Sequence, residues 1–244
     1  MTKQVQNPLK GYTLTIDGPA SAGKGTLGKA LSYRYRLKYL DTGTLYRTVA
    51  YKVKEAGGSF KTDKDALKIL KDFNFDFKHA GNNQFIVLLD NKDITSKIRT
   101  MEVGIDAAKV AVFSKVREEL NKFQVEYANI NKELYGVLMD GRDIGVTICP
   151  NADFKFFLEA SAETRAKRRH IELIEHGNQD TYENILKGIK QRDELDRNRA
   201  HSPLKPAKDA FIIDTTKIDA YTVLRKVIKS IEEKTGVTKS ISAE

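Results

Sequence analysis

A single cysteine in 244 residues rules out an internal disulfide and fits a reducing cytoplasm. That cysteine, Cys149, sits in the apolar phrase VTICP, where a buried, inert thiol is the expected state. No run approaches the ~20 consecutive apolar residues of a membrane span. The first residues, MTKQVQNPLK, lack the apolar core of a signal peptide and read as a polar leader. There are no internal repeats and no low-complexity segments, which argues against a solenoid or structural array. His170 and His176 have no partners at metal-ligand spacing. Nor is there a Ser-His-Asp or Cys-His set for nucleophilic catalysis.

What the chain does contain is organised around residues 12–31, YTLTIDGPASAGKGTLGKAL. An apolar run from Tyr12 to Ile16 stops at Asp17 and Gly18. A loop of small residues leads to Gly23-Lys24-Gly25-Thr26, and a helical pattern continues through Leu27, Ala30 and Leu31. Strand, glycine-rich loop and helix in that order are the context a phosphate-binding P-loop requires. Gly18 permits a sharp exit from the strand, and Gly23 lets backbone N–H groups approach phosphate oxygens. Those amides lie at a helix N-terminus, which favours an anion, and Lys24 adds a mobile charge for the outer phosphates. Gly25 stands where the general pattern has Ser or Thr, and the hydroxyl arrives one residue later as Thr26. That variant resembles nucleoside monophosphate kinases more than GTPases or motor ATPases. A glycine-rich turn with a capping lysine is the plain structural alternative.

The net charge is +9, from 42 Lys and Arg against 33 Asp and Glu. The lysines are dispersed, whereas several arginines fall into tight groups. A site that brings two phosphorylated nucleotides together must offset several negative charges, and arginine suits this through bidentate pairing. The basicity therefore reads partly as a phosphate site and partly as solvated surface.

Further along, 37–40 (LKYL) is a second short strand entering Asp41-Thr42-Gly43-Thr44-Leu45-Tyr46-Arg47. Loops at strand ends are where ligands collect in α/β sheets. Thr42 and Arg47 are phosphate candidates there, and equally compatible with a helix cap and a solvated arginine. Residues 48–72 read as helix, broken at Gly57-Gly58. Period-2 alternation over Phe73–Phe77, a turn at Gly81-Asn82-Asn83, a β run from Gln84 to Leu89 and a turn over Asn91–Thr95 describe a small hairpin module. It is expected to be an inserted substrate-side subdomain over 73–97, or else an edge hairpin without ligand contact. Residues 96–130 read as helical, with Val103, Ala107, Val110, Ala111, Ser114 and Leu120 at helical spacing and Arg99 and Arg117 as ligand-facing candidates. A strand over Val137–Met139 ends in Asp140-Gly141-Arg142-Asp143, where Asp140 suits Mg²⁺ assistance or a turn cap.

A strand over Phe154–Leu158 precedes a helix starting near Ser161 that carries Arg165, Lys167, Arg168 and Arg169. A second helix over Tyr182–Asn198 buries Ile185, Leu186 and Ile189. It carries Arg192, Asp193, Asp196, Arg197 and Arg199. Two such arginine-rich helices repel unless anions lie between them, as expected of a lid closing over phosphates; a solvated charged face is the alternative for Arg165–Arg169. A loop HSPLKP, a strand over Phe211–Ile213 and an amphipathic helix through Val223, Leu224, Val227, Ile228 and Ile231 close the chain. The tail TKSISAE is expected to fray.

IDGPASAGKGT, LDTGTLYR, IRTMEV, the Val-Arg-Glu at 116–118, DGRDIG and RDELDRNR, in that order, resemble the bacterial cytidylate kinases from about Thr13 to Leu224. The resemblance implies an α/β fold: a parallel P-loop sheet flanked by helices, with an inserted nucleotide-binding subdomain and a helical lid. The whole chain, 1–244, would form one kinase domain, its core over approximately 11–72, 96–160 and 200–236, its insert over 73–97 and its lid over 161–199. It implies transfer of a phosphoryl group from ATP to CMP or dCMP, with Mg²⁺, by a cytoplasmic monomer that engages neither nucleic acid nor membrane.

Carried over by position, Gly18, Pro19, Ala20, Ser21, Ala22, Gly23, Lys24, Gly25 and Thr26 would hold ATP. Arg165, Arg168 and Arg169 would cover it. Thr42, Arg47 and Arg142 would surround the CMP phosphate, Arg117 and Asp143 read the cytosine edge, and Arg192 and Asp196 flank the ribose. Arg199 would reach the CMP phosphate. Lys24, Arg142, Arg192 and Arg199 would handle transition-state charge, and Thr26 and Asp140 would serve Mg²⁺ through water. Two positions depart from the family pattern: Ala108 where a base-contacting serine is usual, and Leu195 where another arginine is common. Thr42 in place of serine keeps the hydroxyl.

The chemistry is consistent with this assignment. Cytosine presents an amino donor beside two acceptors, which one carboxylate and one guanidinium complement; uracil would set an acceptor against Asp143. Phosphoryl transfer needs alignment and charge stabilisation rather than a protein nucleophile. The alternatives are another P-loop small-molecule kinase acting on UMP or AMP, and a nucleic-acid-binding module.

Overall fold

The computed structural model describes residues 7–80, 85–175, 177, 179–199 and 202–237. The leader before Asn7, the Gly81–Asn83 turn with Gln84, His176, His201 and the tail from Thr238 lie outside these residues.

The centre is a parallel sheet of five strands: β1 (Thr13–Asp17), β2 (Lys38–Asp41), β6 (Val137–Gly141), β7 (Phe154–Glu159) and β8 (Phe211–Asp214), in the order β2-β6-β1-β7-β8. Every residue of β1 and β6 is buried. Strands covered on both faces read as continuous apolar runs, which is why TLTI and VLM were recognisable. The register aligns Ile16 with Asp140, Asp17 with Gly141 and Asp41 with Asp140. Three acidic strand ends therefore lie side by side at the carboxyl edge of the sheet, where the strand order reverses about β1.

Helices α1 (Lys24–Tyr35) and α9 (Ala220–Thr235), with α2 (Thr42–Glu55) and α6 (Ser114–Tyr135), pack on this sheet. Asp41 caps α2 by accepting from the Gly43 amide at 2.9 Å. Helix α2 therefore begins six residues earlier than the sequence reading placed it, and ends ahead of the Gly57-Gly58 break, after which comes α3 (Lys64–Leu70).

A second, antiparallel sheet is formed by β3 (Phe75–His79), β4 (Phe85–Leu89) and β5 (Lys92–Asp93). The expected turn over 91–95 is a correction: Asp90 and Asn91, at φ 51° and 61°, make the hairpin turn, and Lys92–Asp93 pair with Leu88–Leu89. Two consecutive positive-φ residues are what a tight type I′ hairpin demands. Tyr39 on β2 joins the two sheets, with its ring edge-on to Phe77 and Phe85 at 5.7 and 5.0 Å.

The expected helical run over 96–130 is also corrected. It resolves into α4 (Thr95–Ile98), α5 (Met101–Val110) and α6, with Thr100 capping α5 through the Val103 amide. Val103, Ala107, Val110, Ala111 and Leu120 are buried, whereas Ser114 is exposed at the start of α6. A short π-helical turn, Ile144–Ile148, follows β6. Helices α7 (Ala162–Glu175) and α8 (Tyr182–Arg197) pair over a small cluster of Ala166, Leu173, Ile185 and Ile189.

Candidate active site

The loop between β1 and α1 has the backbone a phosphate cradle needs. Gly18 adopts φ 145°, and a Cβ there would stand 2.2 Å from the Leu158 carbonyl oxygen. Gly23, the N-cap of α1, is left-handed at φ 98°. Three loop carbonyls are tied by donors: Lys24 Nζ to Pro19 O at 2.8 Å, Arg165 Nη1 to Ala20 O at 3.3 Å and the Thr215 hydroxyl to Ala22 O at 3.2 Å. Arg168 in turn donates to Thr215 Oγ1 and O, at 3.0 and 2.6 Å. Lys24 is buried, and burial, followed by the guanidinium of Arg142, depresses its pKa well below the usual lysine value.

The arginines of α7 differ from the sequence reading in one respect. Arg165 is only 2% exposed and forks onto Asp193, its Nη1 2.9 Å from Oδ1. The repulsion expected between α7 and α8 is thus offset by a carboxylate of the protein itself. Arg169 pairs with Glu172 at 2.8 Å and donates to the carbonyl of Arg99, whose own side chain is exposed.

Beside this loop, a pocket opens at the carboxyl edge of the sheet. Its lining includes Thr42, the first residue of α2, with Gly141, Arg142 and Asp143 at and just after the end of β6. Arg117 and Asp143 pair within the lining, with Arg117 Nη2 2.9 Å from Asp143 Oδ2 and both residues buried. The Tyr46 ring lies 5.9 Å from the Arg117 guanidinium. Ala107, Ala108 and Ala111 form the wall contributed by α5 and its C-terminus. Asn121 and Gln124, four and seven residues after Arg117 on α6, also line the pocket. The sequence reading missed them, although their spacing puts them on the face of Arg117. Leu195, half exposed, is absent from the lining.

Arg142, Arg192 and Arg199, which also line the pocket, converge on Asp196, which is wholly buried. Arg142 Nε donates to Oδ2 at 2.8 Å, Arg199 Nη2 donates to Oδ1, and Arg192 Nε stands 3.9 Å away. Three guanidinium groups share this one carboxylate, while Asp140 and Asp41 also act on Arg142 and Asp143 on Arg199. Burial, then the charges of Arg142, Arg47 and Arg199, hold the Arg192 pKa well below its usual value. Arg47 stands outside the pocket lining and donates to the carbonyls of Ile98 and Thr100 at 2.8 and 3.1 Å. A Cβ on Gly104 would lie 2.8 Å from its Nη2.

Asp140 lies beneath the start of α1. Tyr39 Oη donates to its Oδ2 at 2.7 Å, and a Cβ on Gly25 would stand 4.0 Å from the same oxygen. Burial, then the charge of Asp41, raises the Asp140 pKa well above the carboxylate range. Thr42 Oγ1 donates to the Asp140 carbonyl at 2.8 Å. Thr26 is exposed on the first turn of α1. Carboxylate and hydroxyl are the hard oxygen donors Mg²⁺ prefers, so this end of the cradle fits that ion. Among the described residues no three His, Cys, Asp or Glu side chains gather to hold a metal unaided. Nucleotide phosphates and water would complete its coordination.

A glycine cradle at the edge of a parallel sheet, next to an arginine-ringed pocket, defines a kinase of the P-loop class. The family described as cytidylate kinase matches residues 14–233. A cytidylate kinase from Caldicellulosiruptor bescii is 42% identical over 221 residues, covering 91% of this chain and 96% of that protein. One from Bacillus cereus is 38% identical over 222 residues, with the same coverages. This chain belongs to the cytidylate kinase family. Among solved structures, an uncharacterized protein from Eubacterium ventriosum aligns over 91% of this chain and 98% of that one. Its TM-score is 0.50 at 14% identity, a likeness that bears on fold alone.

Proposed function

We propose that this chain transfers the γ-phosphoryl group of ATP to CMP and dCMP, giving ADP and CDP or dCDP. The observation that carries the reading is one pocket lined both by a buried Arg117–Asp143 pair and by the arginines Arg142, Arg192 and Arg199 that share Asp196. The amino group of cytosine would donate to Asp143, while Arg117 would donate to the ring acceptors. Uracil would meet Asp143 with an acceptor and leave buried polar groups unpaired, a strong basis for discrimination.

The CMP phosphate would enter among Arg142, Arg192 and Arg199, with Thr42 and Arg47 nearby and Asp196 toward the ribose. Loop residues Gly18 to Thr26 would hold the ATP phosphates, with Lys24 leaving Pro19 O for an outer oxygen. Mg²⁺, when bound, would offset phosphate charge, with Thr26 and Asp140 contributing through water. Lys24 and the triad would stabilise charge on the moving group, and the core, the 73–97 insert and the 161–199 lid would exclude water. We further infer a cytoplasmic monomer without nucleic-acid or membrane partners; among the described residues no helix is long and apolar enough to cross a membrane.

A coupled ADP-release assay over CMP, dCMP, UMP and AMP tests the reading. CMP and dCMP should give the highest kcat/KM; higher values for UMP or AMP would assign the chain to the alternative acceptor class.

A further inference from the structure

Asp143 occupies the N-cap of the π-helical turn Ile144–Ile148, a position where aspartate ordinarily accepts from its own turn's amides. Here it caps nothing; its carboxylate pairs with Arg117. The amides are satisfied from another strand. Asp17 Oδ1 accepts from the Ile144 N–H at 2.9 Å, and Oδ2 accepts from the Gly145 N–H at 2.8 Å. Asp17 is the last residue of β1, aligned with Gly141 on β6. It is 5% exposed, a costly place for a carboxylate unless its hydrogen bonds are well formed.

The fit is close on the amide side as well. A Cβ on Gly145 would fall 2.9 Å from Thr15 Oγ1 and 3.4 Å from Asp17 Oδ2, so glycine lets the turn settle onto the carboxylate.

We propose that Asp17 is a positioning residue for base recognition: by capping the Ile144–Ile148 turn in place of Asp143, it frees the Asp143 carboxylate to face the base with Arg117. The proposal rests on the reading of Asp143 and Arg117 as the base-contacting pair. Asp17 touches neither nucleotide in this scheme and acts through the turn.

Asp17→Asn keeps the size but presents an NH₂ to one of the two amides, which then has no acceptor. Asp143 is the nearest replacement cap, and taking that role withdraws it from Arg117. The expected outcome is at least a tenfold loss of CMP-over-UMP preference in kcat/KM, with the Kd for ATP within threefold of wild type. In an Asp143→Asn background the same change should leave the remaining preference unaltered, since both act through one carboxylate. Should Asp17→Asn fail to fold, Gly145→Ala probes the contact from the other side and should show the same selective loss.

An unchanged CMP preference in the folded variant tested overturns the proposal. So does an ATP Kd weakened as much as the CMP KM, or full additivity with Asp143→Asn. A wild type without CMP preference would instead refute the base-reading assignment, which separates the two failures.

Discussion

Arg142 and Asp196 are joined by a 2.8 Å hydrogen bond across the junction of β6 and α8, and Asp196 has no exposed surface. The same carboxylate receives Arg199 and faces Arg192. Asp196→Asn would leave three buried or half-buried guanidinium groups clustered without the carboxylate they share. Removing one side of such a pair typically costs about 3–5 kcal/mol. A drop in Tm of roughly 6–20 °C is expected, with CMP restoring more of it than it adds to wild type. An unchanged Tm would show that the triad is neutralised elsewhere.

Arg192 is held least comfortably, its charge disfavoured by burial and by its neighbours. A phosphoryl group in flight would relieve that repulsion. Arg192→Ala is expected to lower kcat by on the order of 10³-fold while the Kd for ATP stays near wild type, as read by single-turnover kinetics and calorimetry. Arg192→Lys should recover little, because a point charge cannot reproduce the planar fork. Loss confined to KM would move Arg192 from transition-state handling to ground-state binding.

Tyr39 links Asp140, the second sheet and α1. Its hydroxyl donates to Asp140, its ring meets Phe77 and Phe85, and a Cβ on Gly28 would lie 2.7 Å from its Cε2. Tyr39→Phe keeps the packing and leaves Asp140 short of a donor, at a cost of about 1–3 kcal/mol. Gly28→Ala overpacks the same contact, at about 1–3 kcal/mol. Urea unfolding of the two variants checks both values.

Burial lifts the Asp17 pKa from 3.8 to about 6, opposed by the Gly145 and Ile144 amides and by Lys24, and assisted by Asp143. Arg142 and Cys149 also face it. A folded pKa above the unfolded one means that the native state binds the extra proton. This contribution to stability is full below pH about 4 and is lost as pH rises through about 6, amounting to roughly 3 kcal/mol. Activity runs the other way, since a protonated carboxyl accepts poorly from two amides. The ratio of kcat/KM for CMP over UMP, in which the titration of the substrate phosphates at about pH 6 cancels, should fall below pH about 6 in wild type, and this dependence should vanish in Asp17→Asn.

The parallel strands and the strand–loop–helix were legible in the sequence because buried parallel strands are apolar runs and because Gly18 and Gly23 hold positive φ angles that favour glycine. Gly18, pressed against Leu158 O, is the clearest case. The ion pairs of α8 were not legible. Asp193 and Asp196 read equally well as partners of arginines on their own helix. Only docking against α7 and β6 turns Asp193 to Arg165 and Asp196 to Arg142. β5 escaped notice because two polar residues carry no periodicity, and the π-helical turn because its cap lies 127 residues away. Asn121 and Gln124 were readable from helical spacing alone once Arg117 was singled out.

The most direct measurement is kcat/KM for CMP, dCMP, UMP and AMP with wild type and Asp143→Ala. The account predicts that wild type favours CMP and dCMP, and that truncating Asp143 erases most of the preference over UMP while turnover persists. A preference that survives the truncation unchanged would contradict it.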